Sequence, residues 1–488
     1  MFLWLVVAVV AVVIWAWKSM TRPSWCPQGP PLLPWIGNAL SLDPAAPEAK
    51  YSEWAEQYGS MYYVKLGAVE QVVLTDPALI REAFSRPEIS GRPDTASMVL
   101  INNNNGLVMS EGELWRETRR FTLHHLRNFG MGKSQLEGYI QQQIAGFCEE
   151  ILKPGCGKEI SLESSLNVAI VNIIWNLVAS EELGITDEKI KSVINRINRL
   201  NLSTDGLQAF AVLDLAPWVQ KVTPDWLINR ERFEKEFADI MKEGFLPALQ
   251  RHRDSFDPSS EPRDYMDAML LEQHRRPELM TDHHLLMAIH DLFLAGNDTT
   301  ATTLRWAFCF LCQRPDVQRR LQAELDAEVG RQRPPTLADR QRLPFTEAFI
   351  LETQRLGDIT PLLVPHRTVA PVSVGGRQLP AGVQVVGVGQ AVHRSARYFA
   401  EPLQFRPERF IDSDGKFQPD KNVMPFSVGK RQCLGESLAR NELFLFLACI
   451  LQNFSFRFPE GYHHHLEQDP DNVFIRSPKP FKLIPERR

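Results

Sequence analysis

The chain has 488 residues, and its 54 Lys and Arg against 59 Asp and Glu give a formal net charge of −5. This weak acidic balance, without a long basic run, excludes nucleic acid as an expected partner. Seven cysteines, an odd number without a disulfide-like spacing, indicate a reducing compartment.

The N-terminal residues 2–17 are all apolar, and Lys18 and Arg22 follow them. A helix over this run rises about 24 Å, so residues 18–20 and a snorkelling lysine are needed to cross a thin bilayer such as that of the endoplasmic reticulum. A cleaved signal peptide is the alternative, but no positive segment precedes the apolar run. The sequence predicts an uncleaved anchor over residues 1–20, with the rest of the chain cytosolic.

A segment rich in proline and glycine comes next and is predicted to be a stiff hinge over residues 21–37. Length alone would allow two or three domains. The motifs described below, however, are spread along the chain and have to meet at one site. Residues 38–488 are therefore predicted to form a single catalytic domain behind the membrane anchor.

The patterning of that domain is mostly helical. Residues 118–153 and 264–330 have helical periodicity, whereas 62–66 and 71–74 are typical of short strands. Further short strands are expected on both sides of the turn at 380–382. The predicted fold class is mainly α with small β-sheets.

Trp115 and Arg119 lie four positions apart, hence on one face of a predicted helix. Indole N–H and guanidinium groups suit a carboxylate. His366 offers another donor after an apolar run, and Arg367 beside it has no role that the sequence indicates. Taken alone, the first pair could be a solvated helix surface and His366 a satisfied loop histidine.

Residues 295–300, Ala-Gly-Asn-Asp-Thr-Thr, interrupt a helical pattern with residues that disfavour helix interiors. Such broken propensity is expected at functional sites. Ala295 and Gly296 would make room for a bulky group, the Thr299 hydroxyl could hold a water, and Asp298 could relay protons. The alternative is a helix bent by threonine bonds to its own backbone.

Two groups of potential metal ligands are predicted to have no such role. Cys309 and Cys312 form a CxxC within an apolar helical run, without a second CxxC or nearby histidines, so core packing is favoured. The three histidines at 463–465 are interpreted as a solvated loop.

Glu352 and Arg355 lie at i,i+3 spacing, and Arg409 follows about fifty positions later. A buried cluster of these charges needs complete hydrogen bonding and would fix neighbouring segments relative to each other. The predicted role of all three residues is structural.

The most specific motif is the loop at 426–435, Phe-Ser-Val-Gly-Lys-Arg-Gln-Cys-Leu-Gly. The Cys433 thiolate is suited to be the axial ligand of a haem iron, and a thiolate ligand favours O–O cleavage. Gly429 permits a tight turn, Gly435 lets the backbone approach the macrocycle, and Arg431 offers a cation to a haem propionate. A buried structural cysteine is the alternative.

With this loop, the chain resembles the cytochrome P450 superfamily from about Pro27 to the C-terminus. The resemblance is carried by five motifs: the FxxGxRxCxG loop, the ExxR and PERF elements, the AGx(D/E)T(T/S) stretch and WxxxR. It implies the cytochrome P450 fold and haem b, with Cys433 on the iron and Trp115, Arg119, His366 and Arg431 at the propionates. Residues 126–132 and 435–436 resemble the microsomal branch that metabolises drugs and steroids, together with its arthropod relatives.

The resemblance implies a haem-thiolate monooxygenase that hydroxylates or epoxidises a steroid, terpenoid, fatty acid or xenobiotic with one atom of O2. Because the chain has no flavin or nicotinamide fingerprint, electrons would come from NADPH–cytochrome P450 reductase, with cytochrome b5 as a second donor. Five basic residues could form a docking surface for the reductase or could be scattered surface charge: Arg120, Arg127, Lys133, Lys430 and Arg440.

Substrate contacts are expected from the loop at 98–107 and from five further residues: Phe293, Ala295, Ile359, Leu362 and Leu363. Residues 207–227 resemble a segment that dips into lipid in this family, with buried packing as the alternative. Two other functions remain open, a reductase-independent isomerase or dehydratase of lipid hydroperoxides and a non-catalytic haem-binding sensor. The pair Asp298 and Thr299 favours the monooxygenase.

Overall fold

The computed structural model describes residues 2–94, 104–131, 134–202, 214, 230–462, 466–472 and 474–488. The first eight α-helices in chain order are α1 Phe2–Met20, α2 Pro47–Tyr58, α3 Pro77–Ser85, α4 Gly112–Asn128, α5 Ser134–Phe147, α6 Lys153–Gly155, α7 Glu163–Ala179 and α8 Glu188–Leu202. The others are α9 Arg230–Ile240, α10 Leu246–Asp254, α11 Tyr265–Arg275, α12 Asp282–Gln313, α13 Pro315–Glu328, α14 Pro344–Gly357, α15 Gly389–His393 and α16 Glu436–Asn453.

The strands are short and form small sheets. Their bounds are β1 Met61–Leu66, β2 Val69–Leu74, β3 Leu362–Arg367, β4 Val372–Val374, β5 Arg377–Leu379, β6 Gln384–Val388, β7 Phe454–Arg457 and β8 Ile484–Arg487. The largest sheet has the order β1-β2-β6-β3, with β2 and β6 parallel and the outer pairings antiparallel. The predicted class, mainly α with small sheets, is confirmed.

The N-terminal region lies against the large sheet. α1 covers most of the predicted anchor; among the described residues, no helix is both long and apolar enough to cross a membrane. In the predicted hinge, the Tyr63 N–H of β1 donates to the Gln28 carbonyl at 2.9 Å. A Cβ on Gly29 would lie 2.1 Å from the Tyr63 carbonyl oxygen. Glycine therefore allows this segment to run in direct contact with β1.

The long helix α12 is central to the molecule and packs against α7, α14 and α16. The Thr281 side chain caps its start by accepting from the His284 N–H at 3.2 Å, and it ends just before Pro315. Most of its side chains are buried, as are those of α7. Cys309 and Cys312 are both buried and form no disulfide, and Cys312 belongs to the main hydrophobic cluster.

A buried ion cluster joins α14 to the segment that precedes the Cys433 loop. Glu352 and Arg355 are fully buried and paired twice, Nε to Oε2 at 2.7 Å and Nη2 to Oε1 at 2.8 Å. The Arg409 Nε reaches Glu352 Oε1 at 3.1 Å. Arg355 also donates to the carbonyls of His393, at 2.5 Å, and Pro402, at 2.7 Å. These bonds hold residues 393–409 in a fixed position against α14.

We expect Glu352→Gln to lower the free energy of unfolding by ~3–5 kcal/mol, because two guanidinium groups in this cluster lose their only shared carboxylate. Urea unfolding of both proteins gives the difference. The matched control is Glu408→Gln, since Glu408 pairs with Arg320 at 2.8 Å and both side chains are about half exposed. That control should change the value by less than ~1 kcal/mol. Equal effects of the two changes would contradict the structural role of the cluster.

Candidate active site

The loop that carries Cys433 is a tight turn held by its own backbone. The Cys433 N–H donates to the Phe426 carbonyl at 2.9 Å, and Gly429 has a φ of +82°. A Cβ on Gly429 would lie 2.0 Å from the Phe84 carbonyl oxygen of α3. Glycine is therefore required here both by conformation and by space. α16 begins at Glu436, so the cysteine stands just before the N-terminus of an 18-residue helix.

The Cys433 thiol lies deep in the protein and is still accessible. Its pKa is raised by burial and by Glu436, while the Gly435 N–H and Arg119 act to lower it. Cys433 nevertheless has a large solvent-accessible surface. Both observations hold if the sulfur lines a hollow inside the fold, so we infer that its exposed surface faces such a hollow. A Cβ on Gly435 would meet no protein atom within 4 Å, which agrees with open space beside the loop.

Three arginines from distant parts of the chain form what we call the cationic cluster, Arg92, Arg119 and Arg431. The guanidinium of Arg431 lies 4.0 Å from the ring centroid of Trp115, whose side chain is buried. The three side chains are fixed by backbone carbonyls: Arg92 by those of Val108, Val364 and Pro365, Arg119 by that of Gln432, and Arg431 by those of Ser90, Val108 and Ser110.

This cluster carries an excess of buried positive charge. Burial, then Arg92 and Arg119, lower the pKa of Arg431 to about 8, while Glu111 acts to raise it. Burial and Arg119 lower the pKa of Arg92 to about 10. Arg92 and Arg119 thus destabilise the charge of Arg431, and Arg119 destabilises that of Arg92, so an anion beside them would relieve the repulsion.

His366, from β3, belongs to the same region. It is buried, and within the described part of the chain neither ring nitrogen has a hydrogen-bond partner. Burial, followed by Arg92 and Arg431, holds the pKa of His366 well below its ordinary value, so the ring is neutral; the nearby backbone of Val364 acts to raise the pKa but lies outside hydrogen-bonding geometry. A neutral imidazole keeps one N–H, and a buried unpaired donor among cations is suited to an anionic oxygen.

Helix α12 exposes a narrow face in an otherwise buried stretch. Ala295 is exposed and Thr299, four positions later, is half-buried. The Thr299 hydroxyl donates to the Ala295 carbonyl at 2.8 Å. Gly296 differs from the sequence prediction, since a Cβ there would lie 3.0 Å from Ile174 Cγ2. Its missing side chain lets α7 approach α12 and does not serve to make room for a bulky ligand.

Two buried acids flank that turn of α12. Burial raises the pKa of Asp298 to about 6, with Arg305 lowering it and Glu163 raising it, and its Oδ1 accepts from Asn198 at 3.3 Å. Burial also raises the pKa of Glu442 to about 8, although a hydrogen bond from the Thr300 hydroxyl at 3.1 Å lowers it. Both carboxyl groups therefore retain protons at higher pH than exposed carboxyls do.

The residues predicted to contact substrate divide into two groups. Ala295, Ile359 and Leu362 keep exposed surface, whereas Phe293 and Leu363 are buried in packed core. The ring of Phe293 is 5.5 Å from Trp175 and 5.1 Å from Phe245, centroid to centroid. Residues 98–103 of the predicted substrate loop, nearly all of the segment 207–227 and the histidines at 463–465 lie outside the described residues.

The predicted basic surface is likewise mixed. Arg120 pairs with Glu117 at 2.8 Å and Arg440 with Glu436 at 2.9 Å. The other two described members, Arg127 and Lys430, are exposed, and Lys133 lies outside the described residues.

Sequence reasoning missed Arg92 as a site residue. Its side chain meets the carbonyls of Val364 and Pro365, more than 270 positions away. No local pattern distinguishes it, because its position depends on the pairing of distant segments.

Comparison with known proteins identifies the family, because residues 27–485 match the family model described as Cytochrome P450. The chain belongs to the cytochrome P450 family. It is 35% identical over 477 residues to Cytochrome P450 2L1 of Panulirus argus, covering 96% of each chain. It is 35% identical to Cytochrome P450 2J3 of Rattus norvegicus, covering 90% of this chain and 87% of the relative. With Cytochrome P450 18a1 of Drosophila melanogaster it shares 34% identity, covering 99% and 90%.

Membership makes the chain a cytochrome P450 monooxygenase and implies a haem cofactor. The resemblance to the microsomal branch and its arthropod members is confirmed by these relatives. The residues of this P450 also fit the group chemically. An accessible thiol suits iron, and haem carries two propionates that would neutralise the cationic cluster and accept from the unpaired donor of His366.

We expect Gly429→Ala to lower the free energy of unfolding of this P450 by about 2–5 kcal/mol, because strain at positive φ adds to a clash with rigid backbone. Urea unfolding of the wild type and the variant measures this difference in free energy. The matched control is Gly415→Ala, where φ is +78° but a Cβ meets nothing within 4 Å, so about 1–2 kcal/mol of strain alone is expected. Equal losses at both positions would show that the contact with α3 does not constrain the loop.

Proposed function

We propose that this P450 inserts one atom of O2 into a lipophilic small molecule at a haem b held by Cys433, with electrons from NADPH through NADPH–cytochrome P450 reductase. The observation that carries the proposal is an accessible thiol inside the fold, beside buried arginines and a buried histidine without a partner. A steroid, terpenoid, fatty acid or xenobiotic is the proposed class of substrate.

Six residues would hold the haem. Cys433 would bind its iron, and its propionates would be held by Trp115, Arg119, His366, Arg431 and, in addition, Arg92. When bound, haem with a thiolate ligand supplies reductive cleavage of O2 and transfer of one oxygen atom. The buried charges of Glu352, Arg355 and Arg409 fix the segment that leads into the Cys433 loop.

The residues of α12 would provide water and protons. Because the Thr299 hydroxyl donates its own hydrogen to Ala295, its oxygen is left to accept a hydrogen bond from a water in the hollow. Asp298, whose pKa of about 6 results from burial, can hold a proton near neutral pH and release it. The exposed surfaces of Ala295, Ile359 and Leu362 are apolar, which favours a lipophilic substrate and excludes bulk water.

The proposal places the enzyme at the endoplasmic reticulum membrane, with residues 1–20 as a single-pass anchor, 21–37 as a hinge and 38–488 in the cytosol. The all-apolar composition of residues 2–17 and the positive charges that follow it support this placement. Exposed Arg127 and Lys430 support docking of the reductase, or of cytochrome b5, near the Cys433 loop.

The first test is the difference spectrum of the reduced protein with carbon monoxide. Thiolate ligation by Cys433 gives a strongly red-shifted Soret band, and Cys433→Ala should abolish it. The matched control is Cys449→Ala, because Cys449 is a buried free thiol whose Sγ contacts the Pro335 carbonyl at 3.7 Å. This control should keep the band. A red-shifted band that survives in Cys433→Ala would refute the proposed ligand.

The second test concerns Thr299. With a substrate that is turned over, Thr299→Ala should lower the product formed per NADPH about tenfold or more, because water and protons are no longer positioned. The control is Thr303→Ala, since the Thr303 hydroxyl makes the same type of bond one turn later, to the Thr299 carbonyl at 2.9 Å, but is buried.

Product formation should also require both NADPH and O2. Turnover of a lipid hydroperoxide that requires neither would contradict the monooxygenase and support the isomerase alternative.

A further inference from the structure

We propose that Arg367 is a positioning residue of the haem site, which acts by pairing with Glu111 and thereby holds the propionate-binding segments together. Arg367 directly follows His366 in β3, and the sequence indicated no role for it. The inference rests on the proposed placement of haem, and its two partners, Arg367 and Glu111, are not among the residues proposed to touch the haem.

The contacts form a closed junction of three charged residues, which we call the 92–111–367 junction. Arg367 Nη2 lies 2.6 Å from Glu111 Oε1, and its Nε donates to the Arg92 carbonyl at 2.9 Å. The other oxygen of Glu111 accepts from the Arg92 N–H at 3.2 Å. The side chains of Arg367 and Glu111 are 18% and 29% exposed, so the pair is partly shielded from water and salt.

The backbone at the junction is equally close. Arg367 and Gly91 exchange both of their backbone hydrogen bonds, at 2.9 and 3.1 Å. A Cβ on Gly91 would lie 2.7 Å from Val369 Cγ1, 2.9 Å from the Arg367 carbonyl oxygen and 3.0 Å from Glu111 Oε2. Three segments therefore meet at a position where only glycine fits.

Each of these segments supplies a donor of the haem site. Glu111 occupies the N-cap position of α4, the helix that carries Trp115 and Arg119. The second segment carries Arg92 itself, and the third, β3, ends at Arg367 next to His366.

Mutual repulsion within the cationic cluster favours separation of these segments until an anion arrives. The Glu111 carboxylate offsets part of the positive charge of the cationic cluster, and its ion pair with Arg367 fixes the position of that carboxylate. The junction thus opposes the repulsion and keeps the donors in place for the propionates. Asp94, 3.8 Å from Arg367 and 72% exposed, is too distant and too solvated to replace Glu111.

The test measures how fast the ferric protein gives up haem to an excess of apomyoglobin, which requires no substrate or reductase. Arg367→Gln keeps a polar side chain but removes the guanidinium and its charge, and it should speed haem release about fivefold, which corresponds to ~1 kcal/mol at 1.4 kcal/mol per factor of ten. Arg367→Lys restores the charge without the fork-shaped geometry and should recover most of the loss.

Glu111→Gln should accelerate release by a similar factor. The double variant Arg367→Gln/Glu111→Gln should release haem about as fast as either single variant, because both changes break the same pair. The matched control is Arg457→Gln, since Arg457 pairs with Glu486 at 2.7 Å on the small β7–β8 sheet and both side chains are half exposed. It should release haem at the wild-type rate.

Two results would overturn the inference. The first is that Arg367→Gln releases haem at the wild-type rate. The second is that the accelerations in the two single variants multiply in the double variant. Both conclusions hold whether or not thermal stability falls. The carbon monoxide band of the reduced protein separates this failure from that of the proposed function. If wild type lacks the red-shifted band, haem ligation by Cys433 is wrong; if the band is present in all variants and release is unchanged, only the role of Arg367 is wrong.

Discussion

The interaction on which the site depends is that between buried guanidinium groups and an anion. Burying a cation without a counter-charge is unfavourable, and the fold nevertheless places Arg92, Arg119 and Arg431 close together. Glu111 provides only part of the missing negative charge. An unpaired imidazole, His366, lies among them and adds a donor. This arrangement is suited to a ligand that carries carboxylates, such as the proposed haem with its two propionates.

The same molecule contains a buried cluster of the opposite kind. In the Glu352 cluster, the carboxylate accepts from two arginines, and the remaining N–H groups reach backbone carbonyls. That cluster is complete without any ligand, so it can order α14 and residues 393–409 by itself. The cationic cluster, in contrast, lacks negative charge. In the proposed function, the first cluster would fix the segment before the Cys433 loop, and the second would hold the propionates of the haem.

The sequence predicted well those features that depend on local geometry. The loop around Cys433 requires glycine at 429, and the structure shows why, through a positive φ and the contact with Phe84. The i,i+3 spacing of Glu352 and Arg355 predicted that these two side chains lie on one helical face, where they pair. The short runs of strand-forming residues likewise predicted β1 and β2. These predictions depend only on neighbours along the chain, which is why one sequence suffices for them.

Features that depend on tertiary packing could not be predicted in this way. Gly296 breaks helix propensity for the sake of Ile174 in α7, a contact between helices that no local pattern reveals. Phe293 lies six positions before Thr299 on α12 but is buried among aromatic rings. Arg92 joins the site across more than 270 positions. In each case the residue type is unremarkable and its partner is distant.

The exposed face of α12 shows how these levels combine. A helix buried on nearly all sides has to satisfy its polar side chains internally, and Thr299 does so by donating to the Ala295 carbonyl. Such a threonine bond to the helix backbone is the alternative interpretation of residues 295–300, and it is present. It does not exclude a role in the chemistry, because it uses the hydroxyl hydrogen and leaves the oxygen able to accept. The bond fixes the rotamer of Thr299, while the neighbouring acids Asp298 and Glu442 retain protons because they are buried. The departure from helix propensity and the raised pKa values thus have one origin, a polar turn placed inside an apolar core.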